Sequence, residues 1–217
     1  MRTYDDPCGI ARALDHVGER WALLIVRELL LGPKRFTDLR AGLPGASQNV
    51  LSQRLRELEE SGIVRRRKLP PPAASQVYEL TDRGYELEPV VLALARWGSR
   101  APLRSAKPLS VDALMYALKS TFDPEAAGDF AGRVELRLGE QSFLAAVSGG
   151  RLTLRRAEPG ATPADAVLRT PADAVLRTDA DTLRALVFTG ARLDSGMVEG
   201  DRQMAGRFVK LFPRPAI

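Results

Sequence analysis

The chain has 217 residues, with 32 Lys and Arg against 27 Asp and Glu, 45% apolar residues, one cysteine and one histidine. A single cysteine permits no internal disulfide, and with one histidine beside it the stock of soft metal ligands is too small for a zinc or haem site, so a disulfide-stapled module and a metal or haem cofactor are excluded. The opening Met1 to Ile10 lacks the basic-then-apolar pattern of a secretory signal, and no run approaches the roughly 20 apolar residues of a membrane helix, which predicts a cytoplasmic chain with no membrane partner.

Charge is divided unevenly. Residues 1–107 hold 18 Lys and Arg against 13 Asp and Glu, whereas residues 108–217 hold 14 of each. Around Gly98 to Pro108 the chain is polar, carries two prolines and shows neither helical nor strand periodicity. The expected organisation is a first domain over residues 1–100, a linker over 101–108 and a second domain over 109–217.

In the first half, Trp21 to Leu31 is apolar on most faces and is stopped by Gly32-Pro33, which predicts a central buried helix. A short helix follows, with Thr37 as its expected N-cap, Asp38 in its first turn and a tight turn at Gly42-Leu43-Pro44-Gly45. From Ser47 to Glu60, Leu51, Leu55 and Leu58 fall at i, i+4 and i+7 and form an inward stripe, completing a helix-turn-helix. Across from that stripe, Asn49, Ser52, Gln53 and Arg56 share a face that shows amide, hydroxyl and guanidinium groups and no carboxylate. Asn and Gln match the edge of adenine and Arg that of guanine, while the helix start at Ser47 and Gln48 offers backbone N–H groups to a phosphate. A plain solvated helix face fits the same residues taken alone.

Ile63 to Leu69 and Gln76 to Leu80 read as two strands, the first carrying Arg65, Arg66, Arg67 and Lys68. With Arg54 these are the candidates for contacts to the DNA backbone. Three prolines at 70–72 are expected to prevent a tight hydrogen-bonded turn, so the tip should project as a stiff loop. From Tyr85 to Trp97, Leu87, Val90, Val91, Leu94 and Trp97 make an apolar stripe that a small domain cannot wholly cover, which predicts a partner chain.

The motifs Cys8-Gly9-Ile10, Gly18-Glu19-Arg20-Trp21, Leu29 to Gly32, Arg35 to Leu39 and Leu51 to Leu58 resemble, in order and spacing, the HxlR family of bacterial winged-helix transcription regulators. The resemblance covers about the first 100 residues. It implies a homodimer held by the first helix and the helix around Tyr85 to Trp97, a recognition helix in the major groove of double-stranded DNA, and wings on the flanking DNA. In some members the early cysteine is a redox switch, so Cys8 is a candidate redox residue; a small buried packing residue is the other reading. Gly9 and His16 depart from the family, which often has proline and an aliphatic residue there.

In the second half, Leu109 to Ser120 reads as a helix, and Val134 to Leu138, Phe143 to Val147 and Arg151 to Arg155 as strands, with Ser148-Gly149-Gly150 as a hairpin turn. Asp181 to Thr189 and Asp201 to Phe212 read as two further helices. The octapeptide PADAVLRT occurs twice, at 163–170 and 171–178. The second copy is the expected strand, running into Thr178 as N-cap of the next helix, and the first copy an enlarged loop or edge extension. Phe143 to Arg155, Ala174 to Asp179, Thr182-Leu183 and Val198 to Asp201 resemble the sterol carrier protein type 2 domain. That resemblance implies a sheet packed on helices around an apolar cavity, with Leu114, Met115, Leu118, Phe143, Leu186, Met204 and Phe208 as the expected lining; ordinary core packing is the alternative for each.

The expected fold class is α+β, a winged helix-turn-helix domain followed by a sterol-carrier-like α/β domain. No nucleophile and base, phosphate-cradling loop or carboxylate pair is marked by spacing, so no catalytic residues and no enzyme activity are expected. The favoured function is a dimeric DNA-binding transcriptional regulator controlled by a hydrophobic small molecule. The alternative is a lipid or hydrophobic-ligand carrier whose winged helix serves dimerisation or protein contact.

Overall fold

The structure, a computed structural model, describes residues 3–71, 74–101, 107–157 and 172–213. The chain divides between Leu94 and Ala95 into two compact units. The division lies ahead of the stretch expected as the linker, of which residues 102–106 fall outside the described residues.

The first unit runs through α1 (Gly9–Val17), α2 (Ala22–Leu29), α3 (Phe36–Gly42), α4 (Gln48–Glu60), β1 (Val64–Lys68), β2 (Gln76–Leu80) and α5 (Asp82–Tyr85) into α6 (Glu88–Gly98). The central helix α2 buries Ala22, Ile25, Val26 and Leu29 and packs on α3, α4 and β2. Against it α4 lays Leu51, Leu55 and Leu58, all fully buried. Burying each such leucine stabilises the fold by roughly 2 kcal/mol, so the expected stripe is what fixes the orientation of α4. Its start is held by Ser47, whose hydroxyl accepts from the Val50 N–H.

The cap of α3 corrects the expectation at Thr37. The helix begins two residues earlier, with Arg35 as N-cap, because the Asp38 carboxylate accepts from the Arg35 N–H at 3.0 Å. That places Asp38 at the third helical position, where a side-chain carboxylate reaches back to the cap.

Strands β1 and β2 pair antiparallel, with Arg65 opposite Glu79 and Arg66 opposite Tyr78. Lys34 joins them as a third, one-residue strand through two bonds with Tyr78, of 2.9 and 2.8 Å. The tip is more closed than its prolines suggest. The Leu69 N–H donates to Ser75 O and the Ala74 N–H to Pro70 O, with Ala74 at φ +40°. Proline removes donors at 70–72 only, and the donors on either side of it close the loop.

Behind this wing lies Glu28 of α2, with no exposed surface. Its carboxylate pairs with Arg27 at 2.8 Å and with Lys34 at 2.5 Å. A β-carbon at Gly42 would overlap that carboxylate, so glycine there lets α3 approach α2.

The second unit contains α7 (Val111–Thr121), α8 (Pro124–Ala127), β3 (Gly132–Leu138), β4 (Gln141–Ser148), β5 (Arg151–Arg156), β6 (Ala174–Thr178), α9 (Ala180–Phe188), β7 (Val198–Gly200) and α10 (Arg202–Phe208). The sheet order is β5-β4-β3-β6-β7, and of its pairings only that of β3 with β6 is parallel. Gly149 and Gly150, at φ +55° and +68°, form the two-residue turn that joins β4 to β5, as their sequence predicts. Strand β6 is formed by the last five residues of the second PADAVLRT copy; the first lies outside the described residues. Helix α9 is capped by Asp179 and not by Thr178: the Asp179 carboxylate accepts from both the N–H and the hydroxyl of Thr182. These bonds to the charged form hold Asp179 below the usual carboxylate range. The short elements α8 and β7 carry too few residues to show a period and were not anticipated.

Helix α7 is pinned to the sheet by buried Asp112, which pairs with Arg156 of β5 at 2.5 Å. Arg156 also bonds Gln141 and lies over the Phe143 ring. Beneath it, the expected cavity lining is corrected. Leu114, Met115, Leu118, Phe143 and Phe208 expose at most 1% of their surface, so no water molecule could touch them from any side and they fill the core. The Phe208 ring meets Phe212 at 5.2 Å and Phe130 at 6.5 Å between centroids. Leu186 and Met204 instead border open grooves.

Candidate nucleic-acid interface

Gln48, Asn49, Gln53 and Arg56 are exposed on α4, with Ser52 half-buried between them. The structure thus brings together the residues expected to read bases. Arg56 makes no ion pair among the described residues, which leaves its fork of donors available to a guanine edge or a phosphate. The face is less free of carboxylate than its spacing predicts. Glu57 reaches across from the next turn, accepting from the Gln53 amide at 3.1 Å and from Arg54.

Arg54 itself is corrected. Expected at the DNA backbone, it is only 13% exposed, sandwiched between Glu57 and Glu19 at 3.4 Å. It ties α4 to the turn between α1 and α2, so it positions the recognition helix and does not extend from it.

On β1, all of Arg65 to Lys68 are exposed, but alternation splits them between two faces. Arg65 and Arg67 converge on Glu79 at 2.8 and 2.7 Å. Arg66 pairs with Glu59 at 2.9 Å and lies over the Tyr78 ring. Burial alone would raise the Glu79 pKa, but hydrogen bonds and charge from Arg67 and Arg65 outweigh it and lower the pKa from its ordinary 4.5. The stabilisation this gives the hairpin is complete above the ordinary carboxylate range and fades as pH falls through the lower folded value. Lys68 has no ion pair among the described residues and completes the basic edge. Arg35 was not anticipated here. It is exposed, and its Nε donates to Ser75 at the base of the wing loop. In the sequence it stands only as the first residue of the motif Arg35 to Leu39, with no contact assigned to it.

Two further features bear on function. Cys8 sits at the N-cap of α1 and is exposed, contrary to the buried packing reading. No cluster of metal-ligating side chains occurs among the described residues, and no helix among them is long and apolar enough to cross a membrane.

In sequence comparison, the profile of the HxlR-like helix-turn-helix matches residues 16–105. The transcriptional regulator YvaP of Bacillus subtilis is 41% identical over 88 residues, covering 41% of this chain and 82% of YvaP. YodB of Bacillus subtilis, also an HTH-type transcriptional regulator, is 38% identical over 88 residues, covering 41% of this chain and 79% of YodB. The solved reduced form of YodB aligns with 44% of this chain and 94% of its own, at 35% identity and a TM-score of 0.39.

Proposed function

The chain belongs to the HxlR-like helix-turn-helix family and is a DNA-binding transcription regulator; on that premise we propose that it works as a homodimer whose second unit senses a hydrophobic small molecule. The observation that carries the DNA reading is the exposed set Asn49, Gln53 and Arg56, on a helix fixed by buried leucines and flanked by the basic strand β1. A two-fold dimer reads two-fold DNA, so the operator is a pseudo-palindrome with half-site centres about 34 Å apart.

Substitutions separate readout from attachment. Gln53→Ala should cost about 1 to 3 kcal/mol at selected base pairs, whereas Arg66→Ala should weaken all sequences alike and flatten the salt dependence by about one unit. Fluorescence anisotropy on operator and random duplexes over a salt series measures both. Equal losses on the two duplexes for Gln53→Ala would remove it from the base-reading set.

The sensor reading rests on the second unit, whose mixed sheet and helices support the resemblance to the sterol carrier protein type 2 domain. Because Leu114, Met115, Leu118, Phe143 and Phe208 pack in the core, this reading puts the ligand site in a groove at the surface of the unit. In the alternative, a carrier, the winged helix would need no base-reading face.

Exposed Cys8 favours a second mode of control. As the chain's single thiol, it can form a disulfide only with another subunit or a small thiol. Mild oxidant should release operator DNA from the wild type and leave Cys8→Ser bound; identical responses of the two proteins remove Cys8 from the mechanism.

A further inference from the structure

We propose that the groove between α10 and the loop after α9 binds an amphiphilic anion, an apolar chain or ring system ending in a carboxylate or phosphate. The proposal rests on the sensor reading above and adds to it a site and a ligand class.

The groove has a volume of about 530 Å³, within the roughly 300 to 1,000 Å³ of small-molecule sites. Leu186, Leu193 and Val209 supply its apolar wall. Gly206 of α10 opens it further, since a β-carbon there would meet no atom within 4 Å. Around this wall stand Arg192, Arg202, Arg207 and Lys210, and no carboxylate lines the groove among the described residues. Residues 108–217 hold equal numbers of cations and anions, so four cations gathered at one groove are a local arrangement and not the by-product of a basic domain.

Arg207 is already engaged, paired with Asp129 and stacked on Phe130. Arg192, Arg202 and Lys210 make no ion pair among the described residues. A neutral hydrophobe would use the wall and leave three cations idle; a bare anion would use the cations and leave the wall wet. Only a molecule with both parts satisfies the whole site. A nucleic-acid backbone, polar along its length, would gain nothing from the apolar wall, and its phosphates would be spread along a stripe and not gathered at one small groove.

The test uses the full chain and isothermal titration with dodecanoate, dodecyl phosphate, dodecanol and inorganic phosphate, all below micellar concentrations. Dodecanoate or dodecyl phosphate should bind at least tenfold tighter than dodecanol, and inorganic phosphate not measurably; the tighter of the first two identifies the head group. Arg192→Gln/Arg202→Gln/Lys210→Gln should bring the anions down to the affinity of dodecanol and leave dodecanol unchanged. Gly206→Trp, which fills open space outside the core, should abolish binding of all three chains with the melting temperature retained. Dodecanol binding as tightly as the anions, or a triple variant with undiminished anion affinity, overturns the anion assignment while leaving a hydrophobic sensor intact. Loss of operator binding by the ligand-free triple variant overturns it in favour of a DNA-contacting surface. Tight, groove-dependent anion binding with no change in operator affinity supports the site and instead defeats the sensor reading.

Discussion

Leu94→Asp should convert a dimer to a monomer and lower operator affinity by about a hundredfold or more, because the second half-site then binds as a separate molecule and not at the high effective concentration of a linked one. Val90, Leu94 and Trp97 recur at i, i+4 and i+7 of α6 and are 51%, 47% and 74% exposed. On α1, Ile10 is 73% and Leu14 38% exposed, again one turn apart. Isolated apolar residues on a surface need no explanation, but rows of them along one face of a helix do. A second copy of this chain is the partner that the family expectation supplies, and a carboxylate at Leu94 would be stranded without a partner at the centre of that interface. Since Leu94 contributes little to the core of its own unit, the monomer should stay folded. Light scattering coupled to gel filtration reads the mass, and anisotropy the DNA affinity. A variant that keeps both the wild-type mass and the wild-type affinity would mean that α6 does not join the subunits.

The helix-turn-helix was legible because its signal is periodic. Leu51, Leu55 and Leu58 could face the core only if α4 were a helix, and the opposite face followed without further information. What periodicity does not carry is which charges meet. Arg54 and Arg56 are two residues apart and look alike in sequence, yet one is held between Glu57 and Glu19 and the other makes no ion pair among the described residues, because the α1–α2 turn arrives beside only the first. The caps at Thr37 and Thr178 missed by one or two positions for a related reason. A neighbouring aspartate, Asp38 or Asp179, outcompetes a threonine hydroxyl for the free N–H groups. In the second unit the apolar spacing on α7 and α10 fits a cavity lining and a packed core equally, because periodicity does not say whether the inside is filled or hollow. Leu114, Met115, Leu118, Phe143 and Phe208 proved to be filling. The groove beside α10 is lined by Arg192, Arg202 and Lys210, whose spacing follows no helical or strand period, so only the folded chain brings them together.

Glu28→Ala should destabilise the first unit by about 3 to 5 kcal/mol, the cost of breaking a buried ion pair from one side. Glu28 lies in the stretch that reads as an apolar core helix, and nothing in its spacing distinguishes it from a surface glutamate. In the fold it has no exposed surface and holds two cations, Arg27 and Lys34, whose side chains are themselves only 20% and 11% exposed. Removing the carboxylate leaves both charges largely desolvated beside an apolar core. Arg27 is poorly placed to absorb that loss, since its Nε is already buried without a partner. For a unit of this size each kcal/mol shifts the melting temperature by roughly 4 to 8 °C, so a fall of about 12 °C or more is expected. Glu28→Gln keeps the shape and one acceptor and should lie between the alanine variant and the wild type. The loss should reach the DNA-binding surface. Lys34, which Glu28 holds, is also the residue that pairs with Tyr78 and seats the wing on α2. Hydrogen exchange should therefore show the amides of Lys34 and Tyr78 losing protection in Glu28→Gln before those of Leu55 and Leu58 in α4. If those amides and the melting temperature keep their wild-type values, the buried pair neither stabilises the unit nor seats the wing.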